Sequence, residues 1–349
     1  MKTDFSVGKR KIGKGRKTYI VAEMSANHNQ DFRRAIKIIE AAKKAGADAI
    51  KIQTYTAETI TLKCDNDYFR INGTIWEGKS LYELYNEAST PWDWQPELKK
   101  ISNDLEMDFF STPFDQTSVD FLEEMNVPIY KVASFELIDI PLLRKIARTG
   151  KPIIISTGMA TLSEIEEALS AIRGEGNQKI ALLKCTSAYP APPEESNLNT
   201  IPHLAETFGV PAGLSDHTLG SAVSIAAVTL GACIVEKHFT LSRNEKGPDS
   251  SFSMEPNEFR QMVKDIRTVE KALGKISYEL TPKQKENSIY RRSLFVVQDV
   301  KAGEKFTEKN VRSIRPGHGL HPRNLEKAFD RKAKNDILRG TPLSWDLII

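Results

Sequence analysis

The chain has 349 residues, 40% of them hydrophobic and 27% charged, a balance that supports a sizeable core and one large or two ordinary domains. No apolar run approaches the ~20 residues that cross a bilayer, and Met1 to Lys17 is basic without an apolar signal core, so a cytoplasmic chain with no membrane partner is expected. A net charge of +3, with scattered basic residues, argues against a nucleic-acid partner, and Cys64, Cys185 and Cys233 lack CxxC spacing and read as free thiols.

From Tyr19 to Lys237, short apolar runs alternate with amphipathic stretches. The spacing predicts strands at Tyr19–Ala22, Ala49–Ile52, Asp108–Phe110, Ile129–Val132, Pro152–Ile155, Ile180–Leu183, Val210–Leu214 and Ile234–Glu236. Helices are predicted at Phe32–Lys44, Gln95–Glu106, Gln116–Met125, Pro141–Arg148, Leu162–Ile172, Thr200–Phe208, Gly220–Leu230 and Pro256–Leu273. Eight strand–helix pairs in this length predict an α/β (β/α)8 TIM barrel, since a doubly wound sheet usually stops at fewer strands. Thr56 to Thr90 is an insertion expected to overhang the barrel mouth, with Trp76, Tyr82 and Tyr85 mostly packing it down. After Gly274 a polar linker precedes short strands and Gly/Pro turns, which predict a small second domain.

Polar residues fall at the end of every predicted strand: Glu23; Lys51 and Gln53; Ser111 and Thr112; Lys131 and Ser134; Ser156 and Thr157; Lys184 and Thr186; Ser215 and His217; Lys237 and His238. In a barrel these gather at the C-terminal mouth, where barrel enzymes place their chemistry. Lys51, Lys131 and the hydroxyls suit a phosphate or carboxylate, and Glu23 and Glu136 suit acid–base work. His217 and His238, at the ends of neighbouring strands, suit a divalent ion that polarises a carbonyl. Carbon–carbon bond formation between an anionic substrate and a carbonyl compound follows. The same residues also permit a Schiff-base aldolase with Lys131 or Lys184 as nucleophile.

Glu23-Met-Ser-Ala-Asn-His28, Lys51-Ile-Gln53-Thr54, Ser111-Thr112-Pro113-Phe114, Tyr130-Lys131-Val-Ala-Ser134-Phe-Glu136 and Ser156-Thr-Gly158-Met159 stand in an order that resembles the sialic acid synthase family. So do Lys184-Cys-Thr-Ser187-Ala-Tyr189-Pro190, Gly213-Leu-Ser215-Asp-His217-Thr218 and Glu236-Lys-His238-Phe-Thr240. The resemblance implies a synthase that joins phosphoenolpyruvate to an N-acylated amino sugar with C–O cleavage and release of phosphate. It implies Mn2+ or Mg2+ on His217 and His238. A phosphoenolpyruvate cradle of Lys51, Thr112, Lys131, Ser134, Ser156, Ser187 and Ser215 is implied, although Ser187 stands where sialic acid synthases carry Asn. Glu23, Gln53, Tyr189, Asp249, Phe135 and Arg315 are implied as sugar contacts, and Glu136, Glu23 and Lys131 as catalytic groups. The implied domains are a barrel over 1–275, a linker over 276–290 and an antifreeze-like (SAF, β-clip) domain over 291–349. Arg315-Pro316-Gly317 would reach the other subunit of a domain-swapped homodimer.

The insertion, Ala133-Ser-Phe-Glu136 and Gly319-Leu-His321-Pro322 resemble the pseudaminic acid branch of that family, whose substrate is 2,4-diacetamido-2,4,6-trideoxy-L-altrose. Phe135 stands where sialic acid synthases carry glycine and adds apolar surface suited to a deoxy sugar. The neuraminic and legionaminic branches are the alternative within the family, and a non-catalytic saccharide-binding protein is the alternative outside it.

Overall fold

The computed structural model describes residues 4–349 and divides into two units, the first ending at Gly274 and the second beginning at Lys275. In the first unit, a hairpin of β1 (Phe5–Val7) and β2 (Arg10–Ile12) precedes the barrel strands β3 (Tyr19–Glu23), β4 (Ala49–Thr54), β5 (Asp108–Pro113) and β6 (Tyr130–Val132). The barrel continues through β7 (Ile153–Ser156), β8 (Ile180–Cys185), β9 (Ala212–Asp216) and β10 (Ile234–His238). All barrel pairs are parallel, and β10 closes on β3 with His238 opposite Glu23. Most strands run one or two residues beyond the predicted ends, so Glu23, Gln53, Thr112, Ser156, Ser215 and His238 lie within strands, whereas Ser134, Thr157, Thr186 and His217 follow them.

The helices are α1 (Phe32–Ala45), α2 (Ala57–Ile60), α3 (Leu81–Ala88), α4 (Gln95–Asp104), α5 (Gln116–Glu124), α6 (Ile140–Arg148), α7 (Leu162–Gly174), α8 (Thr200–Phe208), α9 (Ala222–Thr229) and α10 (Pro256–Leu273). Asp31, Asp115 and Asp139 cap α1, α5 and α6 by accepting from free N–H groups of the first turn, each worth about 1 kcal/mol. The α2 and α3 helices belong to the predicted insertion, and a Ser80–Glu83 capping box starts α3.

Side chains alternate along each strand, and this parity divides the core in two. Ile20, Ile50, Phe109, Ile153, Leu182 and Val235 face outward and pack with the helices. Tyr19, Val21, Ala49, Phe110, Ile154, Ala181, Leu183 and Ile234 form the inner core together with Phe5, Val7 and Ile12 of the hairpin. The basic N-terminal segment, for which the sequence suggested no structure, thus supplies apolar side chains to the inner core, and Arg10 pairs with Asp108 at 2.9 Å.

The second unit carries α11 (Pro282–Asn287), β11 (Ser293–Val296), β12 (Val311–Ile314) and α12 (Leu325–Ala328). The stretch read as a linker therefore contains a short helix, started by a Thr281 capping box. Strands β11 and β12 pair antiparallel over a core that includes Leu294, Val296, Phe306, Val311, Ile337 and Leu343. Arg315 follows β12 directly and is exposed. Among the described residues no helix is long and apolar enough to cross a membrane.

Candidate active site

The inward parity that places Val21, Phe110 and Leu183 in the inner core continues toward the strand C-termini, where the residues are polar. Glu23 lies in register with both His238 and Lys51, Gln53 with Thr112, and Ser215 with both Cys185 and Glu236. Lys51 Nζ stands 2.8 Å from Glu23 and 3.4 Å from Glu236, and donates to Thr112 Oγ1 at 3.3 Å. Lys131 Nζ donates to Ser156 Oγ at 2.7 Å and stands 3.7 Å from Glu236. Ser215 Oγ donates to Glu236 at 3.3 Å.

Glu236 is thus the carboxylate between the two buried lysines, and the strand-end reading passed over it in favour of Lys237. Lys237 points outward: it pairs with Asp216 at 2.8 Å, and Ser224 of α9 donates to the same carboxylate. Breaking that buried pair from one side costs about 3–5 kcal/mol, so its role is structural. Ser111 likewise faces the helix layer, against Thr54 at 2.6 Å, which in turn donates to Gln95 of α4. Lys184 is also off the inward parity, and its Nζ donates to the Cys185 carbonyl. These three strand-end residues do not join the mouth, because each is one residue out of phase with the inward set. Cys185, expected only as a core thiol, does join it, with Sγ 3.9 Å from His217 Nδ1 and from Ser187 Oγ.

One side of the site is a set of hydroxyls around a glycine. Gly158 N–H donates to Ser134 Oγ at 3.1 Å. A Cβ on Gly158 would fall 2.7 Å from Ser134 Oγ and closer still to Ser187 Oγ, so the gap between the serines exists only because the residue is glycine. With Ser156, Lys131, Lys51 and Thr112 alongside, cations and hydroxyls converge on one small volume, the composition that recognises a phosphate.

On the other side, Gln53 Nε2 donates to Glu23 at 3.3 Å and to Ser25 Oγ at 3.0 Å. The buried Asp249 accepts from the Ala26 N–H at 3.1 Å. The Tyr189 ring lies 4.4 Å from that of His217. Trp76 of the insertion packs on Tyr189 at 5.8 Å, and Tyr85 meets Tyr55 edge-on at 5.9 Å, so these aromatics both hold the insertion and wall the mouth. Phe135 stands 59% exposed on the turn after β6, between Ser134 and Glu136.

Burial sets the protonation of the carboxyls. It pushes Glu23 up to about 7, against the pull of Lys51 and with a further push from Glu236. Burial likewise raises Glu136 to about 7, and its Oε2 has no hydrogen-bond partner. Glu236 is opposed by the same burial, yet Lys131, Lys51 and His217 outweigh it and hold the group ionised below the usual range. Burial raises the Cys185 thiol, but the His217 ring and nearby groups bring it down to about 7.

The two imidazoles are 5.4 Å apart between ring centroids. His217 Nδ1–H donates to the Thr186 carbonyl at 2.9 Å, which leaves Nε2 as a lone-pair donor, the usual arrangement of a metal-binding histidine. His238 is kept neutral by burial and by the neighbouring cations, and its buried Nδ1 has no partner. Among the described residues no group of three or more His, Cys, Asp or Glu side chains is arranged to hold a metal. The residues therefore fit an ion bound through two imidazoles that takes the rest of its shell from water and substrate.

Three comparisons bear on the chain. The NeuB family profile matches residues 38–278, and the SAF domain profile matches residues 291–349. The chain is 47% identical over 328 residues to a pseudaminic acid synthase of Helicobacter pylori, covering 94% of this chain and 96% of that protein. It is 40% identical over 322 residues to an N,N'-diacetyllegionaminic acid synthase of Campylobacter jejuni, covering 91% and 96%. The crystal structure of an N-acetylneuraminic acid synthetase from Leptospira borgpetersenii, a citrate complex, superposes with a TM-score of 0.72 at 33% identity, covering 81% of this chain and 94% of that one.

Proposed function

The chain belongs to the NeuB family and carries a SAF domain, and from that premise we propose that it condenses phosphoenolpyruvate with 2,4-diacetamido-2,4,6-trideoxy-L-altrose to give pseudaminic acid and phosphate. The observation that carries the reaction is the juxtaposition, at one barrel mouth, of an anion cradle and a histidine pair flanked by raised carboxyls. The choice of sugar rests on the 47% identity to the H. pylori enzyme and on the apolar Phe135 beside Ser134.

In this reading Lys51, Thr112, Lys131, Ser134, Ser156, Ser187, Ser215 and the gap at Gly158 hold phosphoenolpyruvate. Glu236 keeps both lysines charged and aimed inward before substrate arrives. Glu23, Gln53, Tyr189 and Asp249 hold the open-chain sugar, and Phe135 faces its 6-methyl end. A Mn2+ or Mg2+ ion held by His217 and His238 would polarise the sugar carbonyl. The enol carbon of phosphoenolpyruvate bonds to that carbonyl carbon as the carbonyl oxygen takes up a proton, water adds at the adjacent cationic centre and gives up one proton, and phosphate leaves with its bridging oxygen and the remaining hydroxyl proton as the ketone forms. Glu136 sits as the proton acceptor for the water, its unpaired oxygen directed by nothing else in the site. Lys131 holds the developing charge without covalent chemistry: burial draws its ammonium below the usual lysine range, but the ionised Glu236 at 3.7 Å opposes that shift and favours the protonated form, a poor Schiff-base nucleophile. Arg315 completes the sugar site from a second copy in a cytoplasmic, domain-swapped homodimer.

The test is incubation with Mn2+ or Mg2+, phosphoenolpyruvate and each of three sugars: the altrose derivative, the legionaminic precursor and N-acetylmannosamine. Phosphate release and a product of the correct mass with the altrose derivative support the reading. Turnover only of another sugar reassigns the branch, and saccharide binding with no phosphate release makes the chain a binding protein.

A further inference from the structure

Trp76 of the insertion contacts two separate sugar-side elements. Its Nε1–H donates to the Pro248 carbonyl at 2.9 Å, across 172 residues of sequence. Its ring packs on Tyr189 at 5.8 Å. Pro248 immediately precedes Asp249, whose carboxylate accepts from Ala26 N–H at 3.1 Å. Tyr189 in turn packs against His217 at 4.4 Å and against Phe252 at 5.3 Å, and Phe252 lies 4.9 Å from His238. Tyr189 follows β8 and Asp249 follows β10, so a single indole from the loop after β4 ties two loops from different strands.

The phosphoenolpyruvate side is built differently. Lys51, Thr112, Lys131, Ser156 and Ser215 sit on barrel strands, and Ser134 is bonded to the backbone of Gly158, while Ser187 shares the loop after β8 with Tyr189. Residues on strands are held by the sheet ladder, whereas Tyr189 and Asp249 lie on loops and depend on side-chain contacts for their placement.

We propose that Trp76 is a positioning residue for the sugar half of the site: its indole clamps the Tyr189 ring against the histidine pair and fixes the loop that carries Asp249. This rests on the reaction proposed above, and it assigns the insertion a role in sugar binding that is separable from phosphoenolpyruvate binding. The aromatic wall of Trp76, Tyr189 and Phe252 also matches the chemistry of a sugar with an acetamido group and a methyl in place of hydroxyls, since apolar faces stack on rings.

The test compares Trp76→Phe and Trp76→Ala with the parent chain. Loss of the hydrogen bond and of the pyrrole ring in the Phe variant raises KM for the sugar about threefold, and loss of the whole indole in the Ala variant raises it about tenfold. KM for phosphoenolpyruvate stays within about twofold in both. A second readout needs no turnover. In the Ala variant the amides of Ala26, which donates to Asp249, and of Ala191, which donates to the His217 carbonyl at 3.0 Å, exchange hydrogen about tenfold faster. The Thr157 amide, bonded to the Leu183 carbonyl at 2.9 Å beside the cradle, keeps its rate. Equal rises in both KM values, or unchanged exchange at Ala26 and Ala191, overturn the proposal. A parent chain that turns over none of the sugars overturns the proposed reaction instead, and exchange at Ala26 and Ala191 then decides the role of Trp76 by itself.

Discussion

The sharpest test of the anion cradle is Gly158→Ala. The backbone of Gly158 is outside the left-handed region, so alanine is allowed there and any effect comes from the new methyl alone. That methyl would stand 2.7 Å from Ser134 Oγ and nearer to Ser187 Oγ, where carbon and oxygen need about 3.3 Å or more. Both hydroxyls must turn away, and the phosphate loses one or both of their bonds. A hydrogen bond to a charged group is worth about 1.5–3 kcal/mol, so phosphoenolpyruvate affinity should fall on the order of a hundredfold. Overpacking at one rim position costs folding stability about 1–3 kcal/mol, and the variant should stay folded. Calorimetric titration with phosphoenolpyruvate in the absence of sugar measures the loss directly. The double variant Gly158→Ala/Ser187→Ala should bind better than Gly158→Ala, because removing the nearer hydroxyl makes room for the methyl. A folded Gly158→Ala protein that binds phosphoenolpyruvate within about threefold of the parent would refute the cradle.

Other consequences follow from the same geometry. Because Glu136 is raised to about 7 by burial, the folded state binds its proton more tightly than the unfolded chain does. Its contribution to stability is therefore full below pH ~4.5 and is lost as the pH rises through about 7. Glu136→Gln should flatten this part of the melting-temperature profile, and an unchanged slope counts against the assignment. Chelation should abolish turnover, and His217→Ala or His238→Ala should weaken Mn2+ binding about a hundredfold, followed by the electron paramagnetic resonance signal of the free ion. Full-strength Mn2+ binding by either variant removes the imidazole site. Mixing inactive Arg315→Ala chains with inactive His238→Ala chains should restore activity if Arg315 acts in trans, because one barrel of the mixed dimer then has both groups; a mixture that stays inactive places Arg315 in cis or outside the site.

The count and order of the barrel strands, the presence of polar residues at every strand end and the insertion after the second barrel strand were all legible in the chain. They depend on local periodicity, which sequence carries directly. The motif order carried the family as well. What was not legible was phase. Ser111, Lys184 and Lys237 look as well placed as Thr112, Cys185 and Glu236 until the barrel decides which of two adjacent residues faces inward. Period-two alternation from His238 back to Glu236, and from His217 back to Ser215, was the signal that could have recovered Glu236. The cradle at Gly158, the thiol of Cys185 beside His217, and the bridge from Trp76 to Tyr189 and Pro248 depend on segments distant in sequence that only barrel closure brings within reach. The chain alone determined which chemical groups this protein owns and roughly which strand carries each. The tertiary structure decided which of them share one low-dielectric volume, because side-chain direction and long-range distance are properties of the closed sheet and not of any segment within it.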